Sequence, residues 1–352
     1  MLVITMKMLR QMSLFTLLGL FACGNGYKDL DVNEFEKAIA DGEVAVVDVR
    51  TAEEYAAGHL VGAGNVDWNA ADFLSQMEAA YPKETPIAVY CRSGRRSAAA
   101  AKKLAKAGYT VSNMLGGYLA WTEAGKITNA YEVETFFTKG GLPVSITLIK
   151  HGSLALSYKG KTLQVDPVGG YGKPTDYAAE FPKADVILVT HEHGDHFDRE
   201  AIAALYEEGK TTLVTNPRCA EMLGWGTVMV NGDEMKVLEE IGLQAVPAYN
   251  YTEGHTQFHP KGRDNGFVLT FDGLRIYIAG DTEDIPEMAD IQDIDVAFLP
   301  VNQPYTMTVE QCVHAAGMLT PKVLIPYHFS QTDLSGLPEQ LPGIRVLLRQ
   351  MQ

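Results

Sequence analysis

Apolar residues fall into short runs, each stopped by a charged residue, a histidine, a glycine or a proline, with amphipathic stretches between. This pattern predicts strands alternating with helices, an α/β chain throughout. In the first part, Glu43–Arg50 reads as a buried strand ending in a charged pair, and Pro86–Tyr90 as a second strand that delivers Cys91. A helix is expected from Ser97 to Ala107, closed by Gly108. Further on, Val144–Ile149 and Leu154–Tyr158 flank His151-Gly152-Ser153, and Thr162–Val165 stops at Asp166. The run Asp185–Thr190 stops at His191, Leu274–Ala279 leads to Gly280-Asp281, and Lys322–Pro326 delivers Tyr327 and His328. Residues able to bind a metal thus recur where apolar strands end, which is how a sheet gathers distant side chains at one edge. Between the halves, 127–144 reads as a connector with a short helix over Glu132–Lys139, punctuated by Gly140-Gly141 and Pro143.

At 352 residues and 46% hydrophobic, the chain has room for two domains with separate cores. A net charge of −15 argues against nucleic acid, whose phosphates such a surface repels. Lys7 and Arg10 precede the apolar run Met12–Phe21, too short to span a bilayer, so residues 1–23 read as a targeting segment. Leu20-Phe21-Ala22-Cys23 resembles a bacterial lipoprotein processing site. That resemblance implies an exported protein, periplasmic or on the cell surface, touching a membrane through lipidated Cys23. Cys91, Cys219 and Cys312 remain; an odd number makes no disulfide framework, and the last two read as inert core residues.

The densest chemistry is His191-Glu192-His193-Gly194-Asp195-His196, with three imidazoles in six residues. Imidazole and carboxylate are the donors that divalent zinc, manganese or iron prefer, so this run predicts metal binding. Cys91 heads a second constellation, Arg92-Ser93-Gly94-Arg95-Arg96, between a strand and a helix N-terminus. Backbone amides there form a nest for an anion, and with three arginines nearby the thiolate of Cys91 should be favoured. A thiolate that accepts a sulfur atom becomes a persulfide held by the same amides.

The motifs Asp48-Val49-Arg50, Glu54-Tyr55, Gly58-His59, Gly62-Ala63, Cys91–Arg96, Leu115-Gly116-Gly117 and Trp121 stand in the order of the rhodanese family, which residues 24–126 resemble. The resemblance implies a parallel sheet with flanking helices and sulfur transfer through a Cys91 persulfide. It implies Arg92, Arg95 and Arg96 as charged helpers and Ser93 and Gly94 as substrate-binding positions, with a donor such as thiosulfate or a persulfide. Related phosphatases carry an arginine where this chain has Ser97, which favours sulfur over phosphate.

Residues 145–335 resemble the metallo-β-lactamase superfamily through Asp166, the His191–His196 run, Gly280-Asp281-Thr282 and Pro326-Tyr327-His328. His151-Gly152-Ser153, Phe258-His259-Pro260 and Tyr305–Thr308 are similar to its ascorbate-phosphate-lactonase-like branch. The resemblance implies a four-layer αββα sandwich with two divalent ions, zinc or else manganese or iron. His191 and His193 would bind one ion with a middle histidine, His259 or else His255. Asp195 and His196 would bind the other with His328, and Asp281 would bridge. Asp166 would orient a ligand histidine, His151 would line the substrate pocket, and Asp195 would also serve in acid–base chemistry. The reaction implied is hydrolysis of a lactone, thioester or phosphoester. Two other readings stay open: a mononuclear-iron persulfide dioxygenase built on His191, His259 and Asp281, and a non-catalytic sulfur-carrier lipoprotein. Residues 336–352 read as a tail.

Overall fold

The computed structural model describes residues 26–351; the targeting segment and Cys23 lie outside them. Strands β1 (Lys28–Leu30), β2 (Ala45–Asp48), β3 (His59–Leu60), β4 (Gly64–Asn65), β5 (Ile87–Tyr90) and β6 (Val111–Met114) belong to the first domain. Its sheet runs β1-β6-β5-β2-β4 and is parallel throughout. The central strands β2 and β5 are covered on both faces, with Val47, Val89 and Leu104 in one packed layer and Phe35, Ala88 and Tyr90 in the other. Asp31 and Thr51 start the helices Val32–Ile39 and Ala52–Ala56 with reciprocal capping boxes, satisfying amides that would otherwise be orphaned.

The second domain holds two seven-stranded sheets. After β7 (Thr128–Asn129), the first sheet takes β8 (Glu132–Phe137), β9 (Pro143–Lys150), β10 (Ser153–Tyr158), β11 (Lys161–Val165), β12 (Val186–Val189), β13 (Thr212–Thr215) and β14 (Thr227–Val228) in sequential order. The other takes β15 (Glu234–Leu238), β16 (Ile241–Ala248), β17 (Asp264–Phe271), β18 (Leu274–Ile278), β19 (Val296–Pro300), β20 (Val323–Tyr327) and β21 (Arg345–Val346). Leu154, Leu163, Val186 and Leu188 of one sheet meet Phe267, Ile276, Phe298 and Ile325 of the other in a single apolar core. Helix Arg199–Leu205 covers one outer face and helix Val309–Leu319 the other, which makes the αββα order of layers. In each sheet β11–β13 and β18–β20 are parallel, so Asp166, His191, Asp281 and His328 all follow carboxyl ends of neighbouring parallel strands. Among the described residues no helix is long and apolar enough to cross a membrane.

Two segments differ from expectation. The connector 127–144 is strand rather than helix: β7 pairs with β3 of the first domain, and β8 pairs antiparallel with β9. Val133, Thr135, Phe136 and Phe137 are residues that favour strands, and pairing with β9 outweighs any local helical preference. Residues 336–351 of the expected tail are also part of the sandwich. They supply β21, place Leu347 and Met351 in the core between the sheets, and send Arg349 to Glu134 at 2.6 Å. The Met351 carbonyl accepts the His151 amide at 2.7 Å, tying the chain's end to the first residue of the site. Met351→Ala should therefore destabilise the second domain by about 2–3 kcal/mol, the cost of a cavity at a fully buried site. Urea unfolding followed by tryptophan fluorescence measures it; a change below about 0.5 kcal/mol would mean that the tail does not pack as described.

Candidate metal centre and reactive cysteine

The turn before β10, the ends of β12, β18 and β20 and the turn before β17 bring eight metal-binding side chains to one edge. Donor atoms of His191, His193 and His259 lie within 4.8 Å of one another, as do those of His151, Asp195, His196 and His328. Asp281 stands between the two groups, with its carboxylate 3.1 Å from His328 Nε2, 3.3 Å from His196 Nε2, 3.4 Å from His259 Nε2 and 3.8 Å from His191 Nε2. Nε2 of His191, His196 and His328 and Oδ1 of Asp281 are buried without a hydrogen-bond partner. Four orphaned donor atoms aimed at one small volume are costly unless a cation serves them all, so the residues fit a metal.

The far side of several rings is fixed. Asp166 accepts from the Thr190 amide and hydroxyl at 2.8 and 2.7 Å and meets His196 Nδ1 at 2.8 Å. Asp264, gripped by Arg263, meets His259 Nδ1 at 3.0 Å, and Thr190 Oγ1 meets His191 Nδ1 at 2.9 Å. Such outer contacts set the tautomer and aim Nε2 inward. His255 lies elsewhere, 3.3 Å from the buried Glu283, so the geometry offers His259 and not His255 to the cluster. Glu192 turns away to Arg218 and Arg263. Tyr327 is buried, and its hydroxyl accepts the Gly280 amide at 2.9 Å rather than facing the cavity.

Electrostatics refine two roles. Burial opposes charge on Asp195, but His151 and His328 outweigh it and hold the carboxyl far below the ordinary range. A carboxylate held in that ionised form is suited to facing a cation. His151 does more than line a pocket: it contacts Asp195 at 3.0 Å and lies against the His328 ring, with centroids 3.6 Å apart. Burial likewise works against a charged His328, yet Asp281 and Asp195 lift its imidazole to about 9.

Cys91 follows β5 at the floor of a loop and is 1% exposed. Gly94 turns the chain with φ +87° into the helix Arg95–Lys106, and Gly117 packs so closely that a Cβ there would lie 2.3 Å from the Cys91 carbonyl. Burial raises the thiol's pKa, but the Ser97 hydroxyl, 3.5 Å away, and the amides of Ser97, Ser93 and Gly94 lower it below its usual value. Of the three arginines expected around the thiolate, one faces it. Arg92 and Arg95 are exposed, while Arg96 faces the thiol and is held by both oxygens of Glu54 at 2.7 Å. The helix geometry explains this: consecutive positions after Gly94 fan outward, and only the side chain on the inner face returns to the cradle. His59 and Arg50 are structural here, with His59 stacked on Tyr55 and Arg50 bonded to Asp48.

A family model described as a β-lactamase superfamily domain matches residues 145–328, just over half of the chain. The chain belongs to that superfamily. A rhodanese-like domain model matches residues 31–124. A UPF0173 metal-dependent hydrolase from Geobacillus sp. (strain WCH70) is 31% identical over 196 residues, covering 53% of this chain and 86% of the relative. Another, from Anoxybacillus flavithermus, is 29% identical and covers 58% of this chain and 97% of the relative. A solved structure from Parabacteroides distasonis, provisionally named a metal-dependent hydrolase, is 52% identical with TM-score 0.61, covering 63% of this chain and all of that one. A metallo hydrolase from Ignicoccus hospitalis is 25% identical with TM-score 0.51 over 59% of this chain and 95% of its own. The chain is accordingly a metal-dependent hydrolase of the metallo-β-lactamase superfamily joined to a rhodanese-like domain.

Sequence reasoning missed Asp264, Asn302 and Tyr171. Asp264 had a signal, a carboxylate five residues after His259 at a strand start; Asn302, 3.5 Å from His328 Nδ1, and Tyr171 had none.

Two outcomes are expected of the superfamily's metal edge and of the cradle. A Cβ at Gly152 would lie 2.5 Å from the His196 ring, so Gly152→Ala should weaken metal binding tenfold or more, about the effect of a disturbed outer contact. Metal titration beside an unchanged circular dichroism spectrum checks it; wild-type affinity would contradict the role of His196. Alkylation of Cys91 by iodoacetamide should rise with a midpoint below that of an ordinary thiol. Ser97→Ala should move the midpoint up by about one unit, the worth of one hydrogen bond to a charged group; an unmoved midpoint would assign the effect to the amides alone.

Proposed function

We propose that the second domain hydrolyses a lactone, thioester or phosphoester with two divalent ions, and that the first transfers sulfur through a Cys91 persulfide. The observation that carries the hydrolytic half is the central carboxylate of Asp281 with imidazole groups on both of its sides. Two bound ions would polarise a carbonyl or phosphoryl oxygen and bring the pKa of water towards neutrality. His191, His193 and His259 supply one set of donors, and Asp195, His196 and His328 the other. Asn302 and His193 line the cavity of about 450 Å3 beside them, where they can orient the substrate's polar atoms. The persulfide-dioxygenase alternative would use His191, His259 and Asp281 with one iron. It leaves Asp195, His196 and His328 converging without a task, which favours the two-ion reading.

In the sulfur half, the Cys91 thiolate attacks the outer sulfur of thiosulfate. A bond forms between Cys91 Sγ and that sulfur, the S–S bond of thiosulfate breaks, and sulfite leaves with the electron pair. An acceptor thiolate or cyanide then takes the outer sulfur and returns Cys91 to thiolate. The loop amides and Ser97 that lower the thiol's pKa also stabilise it as the leaving group. This sets the domain apart from an inert carrier. The same reading places the protein on a bacterial membrane through lipidated Cys23, outside the described residues; the basic and apolar pattern of residues 7–23 supports it.

Chelator-stripped protein reloaded with zinc or manganese should regain hydrolysis of a lactone or phosphoester panel in step with two equivalents per chain. Cys91→Ser should lose transfer from thiosulfate to cyanide while keeping its metal. Activity restored by one equivalent of iron, with oxygen consumed in the presence of a persulfide, would overturn the hydrolytic half. Loss of metal in Cys91→Ser would sink the independence of the two sites.

A further inference from the structure

Three cavities of about 450, 400 and 190 Å3 surround the metal-binding edge, and Tyr171 lines all of them. The largest holds Asp195, Asp281 and His328; the second passes Gly194 and Phe197; the third lies between His151 and Met351. Tyr171 is therefore a partition. Its ring is 43% exposed and sits 4.6 Å from that of His151. Gly170 and Gly172 flank it, and a Cβ at either would touch nothing within 4 Å, so the tip of this loop has space around it. The stems are fixed. The buried ammonium of Lys150 donates to the carbonyls of Gly169 and Lys173 at 3.0 and 2.6 Å, and the Gly169 amide reaches Asp198 at 2.9 Å.

Across the largest cavity, Phe258 packs edge-on against Tyr305 with centroids 4.9 Å apart, and Tyr305 is 45% exposed. Aromatic faces held in water around a floor of charged donors are apolar surface waiting for a cover. We propose that Tyr171 is the specificity-determining residue of the hydrolytic site. It selects substrates whose group beside the scissile bond is aromatic or otherwise flat and apolar, held between Tyr171 and the Phe258–Tyr305 pair. This inference rests on the hydrolytic reading above and names its substrate class. Removing the ring joins the central cavity to its neighbours and abolishes the selection while leaving every metal-binding side chain in the sequence.

The test uses the full metal-loaded protein and two probes that share one metal-seeking head, acetohydroxamate and benzohydroxamate, titrated calorimetrically. Wild type should bind the aryl probe at least fivefold more tightly, about the worth of an aromatic contact. Tyr171→Ala should remove most of that ratio, read against acetohydroxamate binding to the same variant, while Tyr171→Phe should keep the ratio. A ratio near one in wild type, or one that survives in Tyr171→Ala, overturns the inference and leaves the hydrolytic reading standing. If neither probe binds although elemental analysis finds the metal, the hydrolytic reading falls and takes this inference with it.

Discussion

The carboxylate of Asp281 is almost wholly removed from water, with imidazole nitrogens of His328, His196, His259 and His191 3.1 to 3.8 Å from its oxygens. A charge in that position is expensive unless positive charge faces it. Burial would raise the carboxyl's pKa, yet the neighbouring His196 and His328 hold it well below the ordinary range. His196 and His328 would hold a divalent cation through the same nitrogens, so folding and metal binding would draw on one electrostatic arrangement.

The rest of the second domain serves this arrangement. Strands β12 and β18 bring His191 and Asp281 together from different sheets, and the Thr190 carbonyl, accepting the Asn265 amide at 3.2 Å, joins the sheets at that point. Thr190 also bonds Asp166, which fixes His196, so one threonine links both sheets to both sides of the cluster. Asp166 and Asp264 do for His196 and His259 what the apolar core does for the strands: each removes a degree of freedom that would blur the site. The first domain's cradle sets a hydroxyl and backbone amides about the Cys91 sulfur, with Arg96 facing it from the helix.

Much of this was legible in the chain. Strand ends followed by His191, Asp281 and His328 were readable because an apolar run and the polar residue that stops it are local features. The strand ends also placed Asp166 and Cys91, since both obey the same rule. What escaped depends on partners far away in sequence. Residues 132–137 form a strand because β9 lies beside them, and residues 345–351 are structural because the sandwich has a gap for Leu347 and Met351. The three arginines after Cys91 looked equivalent as a string, yet Arg92 stands exposed in the loop, and of the two that open the helix only Arg96 faces the thiol. His151 read as a pocket-lining residue, and only the packing of β10 against β20 shows it on Asp195 and His328.

The two-ion arrangement about Asp281 is the central claim, and anomalous diffraction from crystals of the metal-loaded protein tests it most directly. The account predicts two peaks at the metal's absorption edge, about 3.5–4 Å apart as in paired-metal sites, one on each side of the Asp281 carboxylate. A single peak held by His191, His259 and Asp281, with His196 and His328 unengaged, would contradict it.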